Sequence, residues 1–361
     1  MTDRQAPIHF WLPDGVDADL LCWNPDAEPE RYQTGIGHAI IELFRRLGDR
    51  GLDVTIGSEP PPGAHLVFHL TSVYSWRKCT ASPRELAQLY EVLAGGHDVT
   101  IIRGDVPLSF RVDLPRAIEV MPNMASIARS DQVWVPLLPQ RGLVPRPAER
   151  YGALRAVGIM ANAENVPAQL LEPAFERALG RCGVAWRPRL RRRTGPNAWD
   201  TAPWHDFSDL DAVVCLSCDP RNDSQLRKPA TKLINAWVAG AVPLVPPQPS
   251  YVELMSPGEN VAVAASPEAV LGVVAELASD PEMFRRLEAG AIERGSEFSH
   301  DRVLAKWVDL LRREESPSHR RLDSYGLTAR AASLRSGIWL DRKSRAARAR
   351  AKGVLSAYRR A

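Results

Sequence analysis

Lys228 and Lys232 stand one helical turn apart in the stretch RKPATKLINAWVAG (227–240), with Pro229 and Thr231 between them. Proline suits a first helical turn, where a missing N–H leaves nothing unpaired. The apolar run that follows ends at Gly240. A helix start with two ammonium groups and a hydroxyl is equipped to hold a phosphate, because its free backbone amides already favour an anion. A plain solvated helix start also accounts for two lysines, so the surroundings must decide.

Other residues with chemical potential lie upstream. The loop TGIGH (34–38) places Gly35 and Gly37 ahead of a long helix. Glycines there let backbone approach a ligand closely, although a tight strand–helix turn has the same pattern. His38, in the first turn of that helix, is a candidate base. His69 and Asp105 end the strand-like runs VFHL and IIRGD, where cleft residues gather, and Arg146 can reach across from a proline-rich stretch. Two D-x-D pairs, Asp209/Asp211 and Asp17/Asp19, have the spacing that holds a divalent cation on a diphosphate. Both precede runs read as strands (AVVCLS and a possible LLCW), so they belong at N-terminal strand ends, away from the ligand side. No catalytic metal is expected. The single C-x-x-C, Cys215 and Cys218, lacks the two further ligands zinc requires and is read as structural.

The elements that must position these residues alternate. TGIGHAIIELFRRLGDRG carries Ile36, Ile40, Leu43, Phe44 and Leu47 at helical spacing. Strands are expected at LDVTIG, AHLVFHL (64–70), DVTIIRGD and QVWVPLL (132–138), with a helix opened by Ser82, Pro83 and Glu85 as a capping box. The aperiodic stretch 139–152 reads as a flexible linker. Beyond it come the strands RAVGIM, GVAW, DAVVCLS, AVPLV and NVAVAA, with helices between and after them. Such alternation predicts an α/β chain of two doubly wound, Rossmann-like domains facing a cleft. The expected division is 1–145, 146–316 and a basic helical tail, 317–361.

Composition agrees with a globular chain: 361 residues, 45% hydrophobic and 25% charged. No run of eighteen apolar residues is present, and the first fifteen residues do not read as a secretory signal. Five scattered cysteines point to reduced thiols in a cytoplasm. The net charge of +3 hides an asymmetry. Residues 320–361 hold twelve Lys/Arg against two acids, so the tail carries +10 and the body −7. An amphipathic basic tail helix, with Leu340, Ala347, Ala351, Val354, Leu355 and Tyr358 on one face, fits an anionic membrane surface or the acidic body itself. An acidic body without aromatic–basic interleaving argues against nucleic acid.

The segment KPATKLINAWVAGAVPLVPPQPSYVELMSPGEN (228–260) resembles the nucleotide-sugar half of glycosyltransferases with the two-domain GT-B fold. WHDFSDLDAVV (204–214) and PQRGLVPR (139–146) are similar to the same set, and the resemblance runs from Trp204 to Leu311. It implies that Lys228, Thr231 and Lys232 meet a donor diphosphate and that Tyr251 and Glu253 lie near the nucleotide or sugar. Asn235 stands where many retaining members carry a ribose-binding glutamate, which leaves donor identity and stereochemistry open. The implied activity is metal-independent transfer of a hexosyl or related sugar from a nucleotide-diphospho-sugar to an acceptor hydroxyl on a glycan, a lipid-linked saccharide or a small molecule. The nucleotide sugar is a substrate; no resident cofactor is expected. The implied location is cytoplasmic, with the tail at the inner membrane face. A nucleotide-sugar epimerase or hydrolase of the same fold is one alternative. A non-catalytic nucleotide-sugar or polyanion binder, suggested by RPRLRRR (187–193), is the other.

Overall fold

The computed structural model describes residues 6–15, 18–31, 35–75, 80–112, 114, 117–195, 199–218, 227–312 and 327–336. Two parallel sheets form the frame. The first contains β1 (Ile8–Trp11), β2 (Val54–Gly57), β3 (His65–His69), β6 (Val99–Ile102), β7 (Ile118–Met121) and β8 (Gln132–Trp134), in the order β2-β1-β3-β6-β7-β8. A two-stranded hairpin, β4 (Tyr74–Ser75) with β5 (Thr80–Ala81), sits outside it. The second contains β9 (Ala156–Asn162), β10 (Ala185–Arg191), β11 (Ala212–Val214), β12 (Val242–Val245) and β13 (Ala262–Val263), ordered β10-β9-β11-β12-β13. Most of these strands are continuous apolar runs buried on both faces, the pattern that helices on both sides of a parallel sheet impose. In each sheet the winding reverses once, between β1 and β3 and between β9 and β11. Such reversals open a crevice at the carboxyl ends of the strands.

The helices are α1 (Ala18–Cys22), α2 (Glu42–Asp49), α3 (Pro83–Leu93), α4 (Pro173–Arg181), α5 (Thr231–Val238), α6 (Pro249–Val252), α7 (Pro267–Ser279), α8 (Pro281–Ser296), α9 (His300–Leu311) and α10 (327–336). A π-helical turn, Gly37–Ile41, leads straight into α2. One apolar cluster joins Phe10, Ile40 and Leu43 of the first half to Leu233, Trp237, Tyr251 and Trp307 of the second, so the core continues beneath the cleft. The α8 helix holds α5 in place: a Cβ at Gly295 would collide with the Trp237 carbonyl. After α8 the chain returns to the first half, where Trp307 Nε1 in α9 donates to the Pro136 carbonyl at 3.0 Å and Asp301 pairs with Arg50. Further on, Leu327 and Ala331 of α10 are buried against Leu89 and Leu93, and Arg335 pairs with Glu91. The tail face expected from Leu340 to Tyr358 lies outside the described residues.

Several local expectations change. LLCW does not form a strand; residues 18–22 are the short helix α1, because both edges of β1 are already taken by β2 and β3. QVWVPLL pairs only as far as Trp134, and Pro136 cannot donate to a ladder. IEVM (118–121), not anticipated, is the strand β7. GVAW extends through RPRLR as the edge strand β10, where Pro188 is tolerated. Three arginines of the RPRLRRR run have partners: Arg189 pairs with Asp209, Arg193 with Glu164 at 3.9 Å, and Arg191 lies 5.1 Å from the Trp199 ring centroid. This arrangement protects a sheet edge and pairs part of the RPRLRRR charge, while Arg187 and Arg193 stay more than half exposed. Ser82 makes no capping bond to backbone; its hydroxyl donates to the Glu85 carboxylate.

Candidate active site

A cavity of about 360 Å³ lies at the switch point of the second sheet. Its floor comes from the end of β9 (Met160, Ala161, Asn162) and the chain leaving β11 (Cys215, Ser217). One wall is Lys228, Pro229, Thr231, Lys232 and Asn235; the first half of the chain supplies Gly35 and His38 opposite. Asn165, Gln248 and Tyr251, with the aromatic rings of Trp204 and Phe207, complete the nearer surface. Among the described residues the lining includes three basic side chains, Arg141, Lys228 and Lys232, and no carboxylate.

Local structure explains how the lysines are aimed. Lys228 Nζ donates to Ser217 Oγ at 3.0 Å, and Lys232 Nζ donates to the Leu216 carbonyl at 3.2 Å. Each ammonium has three donors, so both retain capacity for a ligand. The N-cap of α5, Ala230, makes no side-chain cap bond, and among the described residues its leading amides are available. Burial pulls the Lys232 ammonium down to about 8, with a smaller push from Lys228 in the same direction. Burial pushes the neighbouring Cys215 thiol up to about 12, so it stays neutral beside the lysine.

Contacts across the cleft fix this wall against the first half. Asn123 Nδ2 donates to the Lys228 carbonyl at 3.0 Å, and Arg227 donates to the Asp105 carbonyl at 3.2 Å. Asn235 lines the cavity, but its Oδ1 accepts the Gln140 amide at 2.9 Å, so part of its capacity is spent on holding residues 139–141. Arg141 donates to the carbonyls of Pro29 and Arg31 at 2.9 and 2.7 Å and lies 4.8 Å from the Trp23 ring centroid. These bonds tie the linker to the segment that leads into Gly35.

His38 and Glu42 form the second part of the site. Spaced four residues apart on the π-turn and α2, they meet with His38 Nδ1 at 3.0 Å from Glu42 Oε2. Burial alone would push the Glu42 carboxyl up; the His38 hydrogen bond and the charges of His38, Arg46 and Arg141 overcome this and hold it below its ordinary value. An ionised Glu42 accepts the Nδ1 proton and makes Nε2 the basic nitrogen. That Nε2 is buried and has no partner among the described residues. His38 also borders a second cavity of about 260 Å³, lined mostly by the first half, which shares Gly35, Lys228 and Pro229 with the first and contains His69 and Asp105.

The structure thus gathers Gly35, His38, Lys228, Thr231, Lys232, Asn235 and Tyr251 around one cavity and His69 and Asp105 around its neighbour. Three expected residues fall elsewhere. Gly37 is buried inside the π-turn, and neither it nor Gly35 forms a tight turn with positive φ. Glu253 is exposed at the end of α6 and lines neither cavity. Arg146 is fully buried, bonded to Asp211 at 2.9 Å, to Glu288 and to the Gly240 carbonyl; it braces the opposite end of the second sheet. Asp211 is held there as well, accepting the Ala156 amide at 2.8 Å, so the Asp209/Asp211 pair is away from the cavity as expected. Asp17 lies outside the described residues. The sequence reading missed Asn162, Ser217 and Glu42. Asn162 ends β9, Ser217 lies just past the carboxyl end of β11, and Glu42 is the carboxylate one turn beyond His38.

No protein-family model and no curated protein matches the chain. Solved structures do. One is AviGT4, a glycosyltransferase involved in avilamycin A biosynthesis (TM-score 0.48, 14% identity, covering 85% of this chain and 97% of that one). Another is HepE from Anabaena in complex with UDP and glucose (TM-score 0.43, 10% identity, 85% and 99%). TarM is a third (TM-score 0.44, 10% identity, 69% and 54%). At these scores the architecture is read from the chain's own topology. Two doubly wound parallel sheets turn their ligand edges toward one cleft, and that is a GT-B-like fold.

Proposed function

We propose that the chain is a glycosyltransferase that takes a nucleotide-diphospho-sugar in the cavity between its halves, the donor resting on residues 146–316 and the acceptor on residues 1–145. One observation carries this reading: a cleft cavity with Lys228, Lys232 and a helix start whose N-cap, Ala230, makes no side-chain cap bond, and with no carboxylate among the described lining residues, beside a histidine whose Nδ1 is hydrogen-bonded to a buried glutamate. The lysines and the Thr231 hydroxyl would meet the diphosphate, with Trp204, Phe207 and Tyr251 supplying apolar surface for the rest of the donor.

In the proposed reaction an acceptor oxygen attacks the anomeric carbon. The new carbon–oxygen bond forms as the bond to the phosphate oxygen breaks, and the diphosphate leaves with that electron pair. Lys228, Lys232 and the α5 amides stabilise the charge where it develops. His38 Nε2 takes the acceptor proton, and Glu42 stabilises the resulting imidazolium. Base-assisted displacement of this kind favours inversion at the anomeric carbon.

Turnover of UDP-, GDP-, ADP- and TDP-sugars with and without a hydroxylated acceptor tests the proposal. Transfer predicts nucleoside diphosphate released only, or much faster, with acceptor. Equal release in both conditions indicates a hydrolase, a changed sugar without release an epimerase, and binding without turnover a non-catalytic protein.

A further inference from the structure

The second cavity differs from the first in a way that bears on what enters it. Ile102 and Val120, at the ends of β6 and β7, line it together with Met121, Val135 and Leu137. These side chains offer neither donors nor acceptors, so a free saccharide would lose water from hydroxyls that gain no partner in return. Among the described lining residues the polar side chains are His38, His69, Asp105 and Lys228.

His69 has a defined tautomer. The Thr71 amide can only donate, and it lies 3.3 Å from His69 Nδ1, so Nδ1 is an acceptor; the Thr71 hydroxyl, at 2.6 Å, donates to it as well. Burial holds the ring's pKa down at about 4, so it is neutral, and its one proton is on Nε2. The imidazole lies over Gly104, where a Cβ would collide with it and where φ is +60°. The two histidines bordering this cavity are therefore held differently: His38 has its Nδ1 on Glu42, and His69 has its Nδ1 on Thr71 and its proton on Nε2.

We propose that the cavity accepts a compound with an apolar body and a single reacting hydroxyl, such as a phenol or a ring alcohol, in preference to a free saccharide. Its rings lie against Val120, Val135 and Leu137. Its oxygen accepts from His69 Nε2–H, which positions it, while its proton goes to His38. This assignment rests on the transfer reading above and narrows its acceptor.

Calorimetry on the full chain tests it with three probes: 4-methylumbelliferone, 4-methylcoumarin (the same rings without the hydroxyl) and maltose. The expected result is one site for 4-methylumbelliferone, binding about tenfold tighter than 4-methylcoumarin, with maltose weaker than both. Leu137→Asp should weaken 4-methylumbelliferone at least tenfold, and His69→Phe should erase its advantage over 4-methylcoumarin. Leu137→Gln serves if the aspartate variant does not fold by circular dichroism. Tighter binding of maltose, or unchanged affinity in a folded Leu137 variant, overturns the proposal. Titrating nucleoside diphosphates into the same wild-type protein separates the two claims. If they bind and 4-methylumbelliferone does not, this acceptor assignment fails and the transfer reading stands. If 4-methylumbelliferone binds where no nucleoside diphosphate does, the transfer reading fails, and the acceptor role falls with it.

Discussion

Lys232 should take up a proton when a nucleoside diphosphate binds. Its ammonium is pulled down to about 8 by burial before any anion arrives. A diphosphate beside it favours the charged form and raises that value, so the sign is uptake. At pH 8.5 a lysine with a pKa of 8 is about one-quarter protonated, and complete protonation in the complex takes up about 0.75 proton per site. At pH 7 the same lysine is already about nine-tenths charged and contributes only about 0.1. The assay is calorimetric titration of the tightest of UDP, GDP and ADP at both pH values, in buffers of different ionisation heat. At pH 8.5 the nucleotide has shed its own last phosphate proton, so uptake reports the lysine. Affinity should accordingly decline above pH 8, approaching a factor of ten per pH unit. Lys232→Met should remove both effects. Because the folded-state value lies below the unfolded one, wild-type stability should also rise between about pH 8 and 10.4, a gain the methionine variant lacks. No proton uptake at pH 8.5, or the same uptake in Lys232→Met, would refute the reasoning.

Replacing His38 or Glu42 with glutamine should lower turnover by about 10²–10⁴, the range for a lost general base, while nucleotide affinity changes little; equal loss of both would identify a structural pair. Arg146→Met should cost about 3–5 kcal/mol in denaturant unfolding, because it strands Asp211 and Glu288 in the interior, yet the folded fraction should bind nucleotide normally. Weaker nucleotide affinity in that fraction would return Arg146 to the site. Gly104→Ala should destabilise by about 1–3 kcal/mol through its positive φ, with added strain from the His69 ring; a loss below 0.5 kcal/mol would contradict the close packing.

The sequence exposed the alternation of strands and helices because apolar runs bounded by glycine and proline survive without knowledge of tertiary contacts. It exposed the lysine pair for the same reason: a helix start is a local event. Long-range placement was harder to see. Arg146 and Lys228 are both basic residues flanked by proline, and only the packing against Asp211 and Glu288 shows that Arg146 belongs to the far end of the sheet. The role of Glu42 depends on a π-turn that directs His38 toward both cavities, which helical spacing alone does not specify. RPRLRRR reads as a charge patch in the sequence because the acids that pair with part of it, Asp209 and Glu164, come from other segments of the chain.

The most direct measurement of the central claim is nucleoside-diphosphate affinity, by calorimetry, of the wild type and of Lys228→Ala, Lys232→Ala and Thr231→Ala, with Lys306→Ala in α9 as the control. A charge-assisted bond to phosphate contributes about 1.5–3 kcal/mol, so each lysine variant should bind about ten- to a hundredfold more weakly. Thr231→Ala should lose less, since it removes one neutral bond and leaves the helix amides in place, and Lys306→Ala should match the wild type. If wild type and all four variants bind alike, or the wild type binds none of UDP, GDP, ADP and TDP, the phosphate site at the start of α5 does not exist.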